Sequence, residues 1–270
     1  MRFAIAYSRK DTAGVNIVNQ LKKISYLPQV PMIELKKETI YSEDLNEKNY
    51  PELRNIDFLV FASKHRSEKG NPSLSLHAPG NWRGADFGGR AGKICNTSAF
   101  VVKYLFQQLN KNYIESGMQD YEITLEVTHH GPLIEIPCCF IELGSSEKQW
   151  GEEEPAKILA KTILSLQDYK PQPDWIPCIG IGGPHYCPNF NKIQLNSQYA
   201  ISHIIPEYCL PLTETMLKQA EQKTTEQIKH IILDWKGCGK SEEREKTINL
   251  LNQSGLSYKR TNSINKKTKQ

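Results

Sequence analysis

Five consecutive apolar residues, Phe58 to Ala62, give way without transition to the polar stretch S-K-H-R-S-E-K-G-N-P-S-L-S-L-H-A-P-G-N-W, which ends at Trp82. The apolar run does not alternate, so it reads as a strand buried on both faces, the condition of a sheet covered by helices. The histidines and charges that follow are then concentrated where a strand ends, and in open α/β sheets ligands bind just beyond the carboxyl ends of strands. Two other segments have the same character, L-E-V-T-H-H-G-P from Leu125 to Pro132 and G-I-G-G-P-H-Y from Gly180 to Tyr186. Five of the seven histidines fall in these three loops, which are expected to meet in one pocket.

The elements on either side fit the same class. Arg2 to Tyr7 opens as a strand, Asp11 or Thr12 can cap a helix, and Val15, Val18 and Leu21 form its apolar stripe. Val30–Leu35 reads as a strand, and the charged segment Lys36–Arg54 as surface. After the organising loop, R-G-A-D-F-G-G-R-A-G-K (Arg83–Lys93) precedes a helix capped by Asn96 or Thr97. Glycines ahead of a helix can cradle a phosphate or an RNA backbone, but neither ordered glycine motif is present, so a lid or a plain turn stays open. Strands over Tyr121–Val127, Ile134–Leu143, Ile176–Ile181, Ala200–Ile205 and His230–Asp234 alternate with helices over Ala156–Leu166, Thr213–Gln227 and Glu242–Leu251. With no repeat and no linker, the chain reads as one three-layer α/β/α domain over residues 1–258 with a mixed sheet, followed by a basic polar tail, 259–270.

At 270 residues, with 39% apolar and 24% charged, the chain can bury a substantial core. It has no apolar run long enough for a membrane span, and the few apolar residues before Ser8 are too short for a secretory h-region, so no leader is expected. A net charge of +4 decides little. The seven cysteines show no zinc-finger or redox spacing and read as packing thiols, with Cys187, two residues after His185, as a possible soft ligand.

Histidine is both the commonest metal ligand and the side chain that titrates nearest neutrality. His65, His77, His129, His130 and His185, with Glu68, Glu126 or Asp86, could hold a catalytic zinc, although no metal motif spacing is present. A metal-free alternative makes a histidine the base toward water, with Lys64, Arg66 or backbone amides stabilising an oxyanion. His203 and His230, outside the loops, read as structural, and Ser63, Ser67, Ser73 and Ser75 as hydrogen-bonding groups. Because neighbours on an extended chain point apart, His129 and His130 can share a pocket only through a kink, for which Gly131 and Pro132 are suited.

The strings A-S-K-H-R-S-E (Ala62–Glu68), S-L-H-A-P-G-N-W (Ser75–Trp82), E-V-T-H-H-G-P (Glu126–Pro132) and G-I-G-G-P-H-Y (Gly180–Tyr186), in this order, resemble the archaeal and plant type of D-aminoacyl-tRNA deacylase. The likeness extends to D-W-K-G at Asp234–Gly237. The resemblance implies a fold of the phosphorylase and peptidyl-tRNA hydrolase type and a zinc-dependent proofreading hydrolase with two zinc ions per monomer. It puts forward His65, His77, His129, His130 and His185 as the pocket, with Glu126 as acid/base or ligand; the expected division makes His65, His129 and Glu126 catalytic, His77, His130 and His185 metal ligands, and Lys64, Arg66, Gly182 and Gly183 substrate contacts. The expected protein is a cytoplasmic monomer whose partner is D-aminoacyl-tRNA, with no membrane or DNA contact. A nucleoside phosphorylase or hydrolase, and a tRNA-binding protein without turnover, are the competing readings.

Overall fold

The computed structural model describes residues 1–24 and 28–264. The first half runs β1 (Phe3–Ser8), α1 (Thr12–Ile24), β2 (Met32–Leu35), β3 (Phe58–Lys64), β4 (Ser73–His77), α2 (Ala99–Ser116), β5 (Glu122–Leu125) and β6 (Cys138–Gly144). The short α3 (Glu147–Trp150) and then α4 (Glu153–Leu164) complete it. The second half runs β7 (Ile176–Ile181), α5 (Pro188–Asn196), β8 (Tyr199–Ile205), α6 (Glu214–Gln222), β9 (His230–Leu233), α7 (Ser241–Ser254) and β10 (Tyr258–Arg260). The strands form a six-stranded sheet, β2-β1-β3-β6-β4-β5, and a four-stranded sheet, β10-β9-β7-β8.

The expected α/β architecture with a mixed sheet is present, and a second sheet, wholly parallel, accompanies it. In the first sheet β1, β2, β3 and β6 run parallel. The reversal comes at β4, antiparallel to β6 but parallel to β5. β4 lies inside the segment read from sequence as loop. Its alternation S-L-S-L-H was masked by serines, yet all five residues are buried, and Ser73 Oγ meets Ser145 Oγ at 3.1 Å. An unexpected helix, α5, starts at Pro188, whose ring fixes φ where the first helical turn has no need of an amide donor.

Helix α1 packs on α4, and Ile17, Val18 and Leu21 are buried against the first sheet, as the stripe predicts, while Val15 is half-buried. Its start depends on Asp11. One carboxylate oxygen accepts from Gly14 N at 2.9 Å, and the other from Ser63 Oγ and Lys64 N, each at 2.9 Å. A single buried side chain therefore caps the helix and ties it to the end of β3. The cap of α2 is Ser98, one residue past Thr97, with its hydroxyl accepting from Val101 N. The anion site expected of that helix start is already filled: Glu226 accepts from Ala99 N at 2.8 Å, Phe100 N at 3.3 Å and Ser98 Oγ at 2.5 Å.

The segment expected as a basic tail, 259–270, begins inside β10. Arg260 stacks its guanidinium 3.6 Å from the Trp235 ring, and Lys259 lies over Tyr199 at 5.3 Å. Lys266, Lys267 and Lys269 lie outside the described residues. Among the described residues, all seven cysteines are buried free thiols, and no helix is long and apolar enough to cross a membrane.

Replacing Asp11 by alanine leaves three donors without their acceptor, two of them main-chain amides. Such orphaned buried groups cost about 1–3 kcal/mol. The Asp11→Ala variant is expected to lose about 2–3 kcal/mol in urea unfolding, and an unchanged midpoint would show that the cap contributes nothing.

Candidate active site

The site is built over the middle of β6 rather than at one edge of the sheet. Glu142 is its floor. Its register partners are Ser63 on β3 and Ser75 on β4, whose small side chains leave space above the carboxylate. Ring packing lines the approach on the same face: Phe61 stacks on Phe140 at 4.5 Å, and Phe140 on His77 at 5.3 Å.

Each histidine loop enters from the carboxyl end of a strand. His65 follows β3, His77 ends β4, His129 and His130 follow β5, and His185 follows β7 of the second sheet. Because β4 and β5 run opposite to β3, these ends leave opposite edges and meet only above the sheet face. The extended chain beyond β5 crosses to the second sheet, with Val127 N donating to His185 O and Thr128 N to Ile204 O, each at 3.1 Å. His130 has φ of +43°, so the expected kink lies in the histidine itself as well as at Gly131. His129 and His130 thereby share the pocket, their ring centroids 4.3 Å apart.

Two carboxylates organise these rings, and both are only 2% exposed. Glu126 Oε2 lies 2.9 Å from His185 Nε2 and 3.4 Å from His129 Nε2, while Oε1 lies 3.1 Å from His65 Nδ1. Glu142 Oε2 is 3.5 Å from His65 Nδ1, and Oε1 is 3.8 Å from both His77 Nε2 and His130 Nε2. The His77 and His129 rings are 4.2 Å apart, and those of His129 and His185 4.6 Å. Second contacts fix the imidazoles: His65 Nε2 meets Tyr186 Oη at 2.7 Å, His129 Nδ1 meets Val127 O at 2.8 Å, and His130 Nδ1 meets Gly131 O at 2.7 Å.

The electrostatics follow from burial set against charge. Burial alone would raise the Glu142 carboxyl, but His130, His65 and His77 overcome it and hold the group well below the usual carboxylate range. Glu126 is likewise lowered against its burial, by His185 and His65. Burial pulls His65 down, yet Glu142 and Glu126 outweigh it, and its pKa rises to about 9. His77 is raised for the same reason. His129 goes the other way, driven down by burial and then by His77, His130 and His185.

Donor atoms within 4.8 Å of one another occur in three sets: His77, His129 and His130; Glu126, His129 and His185; and His65, Glu126 and Glu142. His77 Nε2 is buried without a hydrogen-bond partner, and Glu126 Oε1 has the His65 ion-pair contact but no aligned hydrogen bond. Nitrogen and carboxylate donors left unsatisfied in such groups fit a divalent metal ion.

Other expected residues stand outside the donor sets. Lys64 Nζ pairs with Glu38 at 3.2 Å, and Arg66, Glu68 and Asp86 are exposed and outside every donor set. Gly182 and Gly183, with φ of +93° and +86°, press their backbone against residues 234–238, where a Cβ on Gly182 would come within 2.7 Å of Gly237 O. Cys187 is buried beside its own loop, its thiol pushed up by burial, and belongs to no donor set. His203 is buried with Nδ1 3.2 Å from Thr128 Oγ1 and is lowered by burial to about 4, and His230 contacts Ser257. The sequence reading missed Glu142 and Tyr186. Glu142 did leave a signal, since it is the one charged residue in the apolar run Cys138–Leu143.

A family model described as D-aminoacyl-tRNA deacylase matches residues 52–259. A curated protein of that name from Methanocaldococcus jannaschii is 31% identical over 271 residues, spanning 96% of this chain and all of its own length. Another from Pyrococcus furiosus is 35% identical over 203 residues, spanning 75% of this chain and 73% of its own. A crystal structure of a conserved protein of unknown function has the same fold, with a TM-score of 0.88 at 26% identity over 98% of this chain and 97% of that one. The match over most of the chain, together with the gathered histidine loops, leaves one conclusion: the chain belongs to the D-aminoacyl-tRNA deacylase family.

Proposed function

We propose that this cluster hydrolyses the ester joining a D-amino acid to the terminal ribose of tRNA, releasing both. The observation that carries the reading is the placement of two buried carboxylates among five imidazoles, in a chain of this family. The reading takes residues 1–258 as one catalytic unit, acting as a cytoplasmic monomer on D-aminoacyl-tRNA.

His77, His130 and His185 are the imidazoles proposed to hold zinc, two ions per monomer. The first two share a donor set with His129, and the third with His129 and Glu126. Zinc bound there would supply a water acidic enough, with a pKa near about 7, to attack at neutral pH. Glu126 takes the proton as the water oxygen bonds to the ester carbonyl carbon. The His65 imidazolium, 3.1 Å from Glu126 and aimed by Tyr186, faces the oxyanion that forms. As the bond to the ribose oxygen breaks, Glu126 returns the proton to that oxygen, with neutral His129 at 3.4 Å as its relay. The products are the free amino acid and the intact ribose of tRNA.

Two further roles complete the proposal. Arg66, exposed beside His65, is the proposed contact to a tRNA phosphate, whereas Lys64 must first leave Glu38. The backbone of Gly182 and Gly183, braced against Asp234 and Gly237, is the proposed rigid wall that admits one arrangement about the substrate Cα and collides with its mirror image.

Incubation with D-tyrosyl-tRNA and L-tyrosyl-tRNA, with and without a chelator, tests the reading. Release of D-tyrosine that stops on chelation and returns with zinc is expected; turnover of neither ester would overturn it. Glu142→Gln removes the charge that three histidines face, and is expected to lower bound zinc, measured by mass spectrometry, and turnover by roughly 10- to 100-fold. A Gly183→Ala variant must fit a Cβ 3.0 Å from Asp234 Oδ2, and is expected to lose D over L preference. Unchanged preference would remove the wall from the mechanism.

A further inference from the structure

Among the described residues, five large apolar side chains stand well exposed: Met1, Tyr41, Phe87, Ile114 and Tyr208. Met1 is the chain end and Ile114 sits near the end of α2. The other three share one place, the rim of the histidine cluster. Tyr208, 61% exposed, has its hydroxyl 3.3 Å from His185 Nδ1. Phe87, 65% exposed, accepts through its carbonyl from Gly131 N at 2.9 Å, directly after His130. Tyr41, 46% exposed, lies against Gly88 of the same loop.

These rings are carried on backbone that cannot easily shift. A Cβ on Gly131 would stand 2.3 Å from Gly89 N and 2.5 Å from Ile40 O, and one on Gly88 would collide with Ile40 O. The loop of Phe87, the turn of Tyr41 and the loop of His130 are therefore packed main chain against main chain. Asn81 holds Gly88 O at 2.8 Å. Arg83 ties the Phe87 loop to the Tyr208 segment, donating to Cys209 O at 3.0 and 3.1 Å and to Pro211 O at 2.7 Å. Among the described residues, none of these three rings stacks on another aromatic ring, so their faces are open to a ligand.

We propose that Phe87 and Tyr41, with Tyr208 across the cluster, form a stacking platform for the unpaired 3′-terminal bases of the tRNA. The inference rests on the deacylase reading and goes beyond it, since the ester must reach the cluster at the end of a single strand. Single-stranded nucleotides bind rigid aromatic faces because every base offers a π-face, and each such stack changes affinity by about 5-fold to 100-fold. The charge of the loop agrees with an anionic occupant: Arg83, Arg90 and Lys93 stand against a single acid, Asp86.

The Phe87→Ala/Tyr41→Ala double variant tests this with two probes. With D-tyrosyl-tRNA, the loss is expected in KM, at least about 10-fold. In fluorescence titration, the oligonucleotide ACCA is expected to bind the variant at least about 5-fold more weakly, with the salt dependence unchanged, because no phosphate contact is lost. Phe87→Trp is expected to retain both KM and affinity. A KM and an ACCA affinity within twofold of wild type would overturn the platform, as would a loss that appears only as a shallower salt slope. Wild-type protein that binds ACCA but releases no D-tyrosine would sink the deacylase reading instead, and the oligonucleotide comparison would still judge the platform.

Discussion

The structure depends on keeping two carboxylates ionised where water hardly reaches. An isolated buried carboxylate costs several kcal/mol, so it survives only with opposite charge or strong donors around it. Glu142, in the middle of a strand between hydrophobic neighbours, meets that condition through His65, His77 and His130. Glu126 meets it through His65, His129 and His185. His65 touches both groups, and together they raise its basicity against its burial. The loops are consequently held to the sheet by the same contacts that equip them for chemistry.

The fold was largely legible because its main strands are continuous apolar runs. Phe58–Ala62 and Ile176–Ile181 announce themselves without any knowledge of neighbours. β4 did not, because Ser73 and Ser75 occupy positions where hydrophobic residues would have revealed the alternation. Those serines are small for a reason that only the register shows: Ser75 lies beside Glu142, and a larger side chain there would close the space the histidines use. The helix α5 was hidden by weak amphipathicity in a segment rich in asparagine.

Of the site, the imidazoles could be found by where they cluster, but not how they divide. Their grouping into donor sets depends on strand direction and on the left-handed turn at His130, neither of which is written in residue spacing. Lys64 shows the limit from the other side. Its neighbour in the sequence is in the site, but alternation turns Lys64 toward Glu38 and Trp150. The Gly182–Gly183 pair, expected as a substrate contact, has its main chain pinned against Asp234 and Gly237, a packing that residue spacing alone does not reveal.

The reversal at β4 has a consequence for the order in which the protein can become competent. The clustered histidines span residues 65 to 185 and draw on strand ends of opposite direction, the last from a separate sheet. A nascent chain that has completed only the first sheet carries Glu126 without His185, its nearest side-chain partner at 2.9 Å. Completion of the cluster thus couples the docking of one half onto the other to the pairing of a single buried acid, and a half-made chain has no finished cluster.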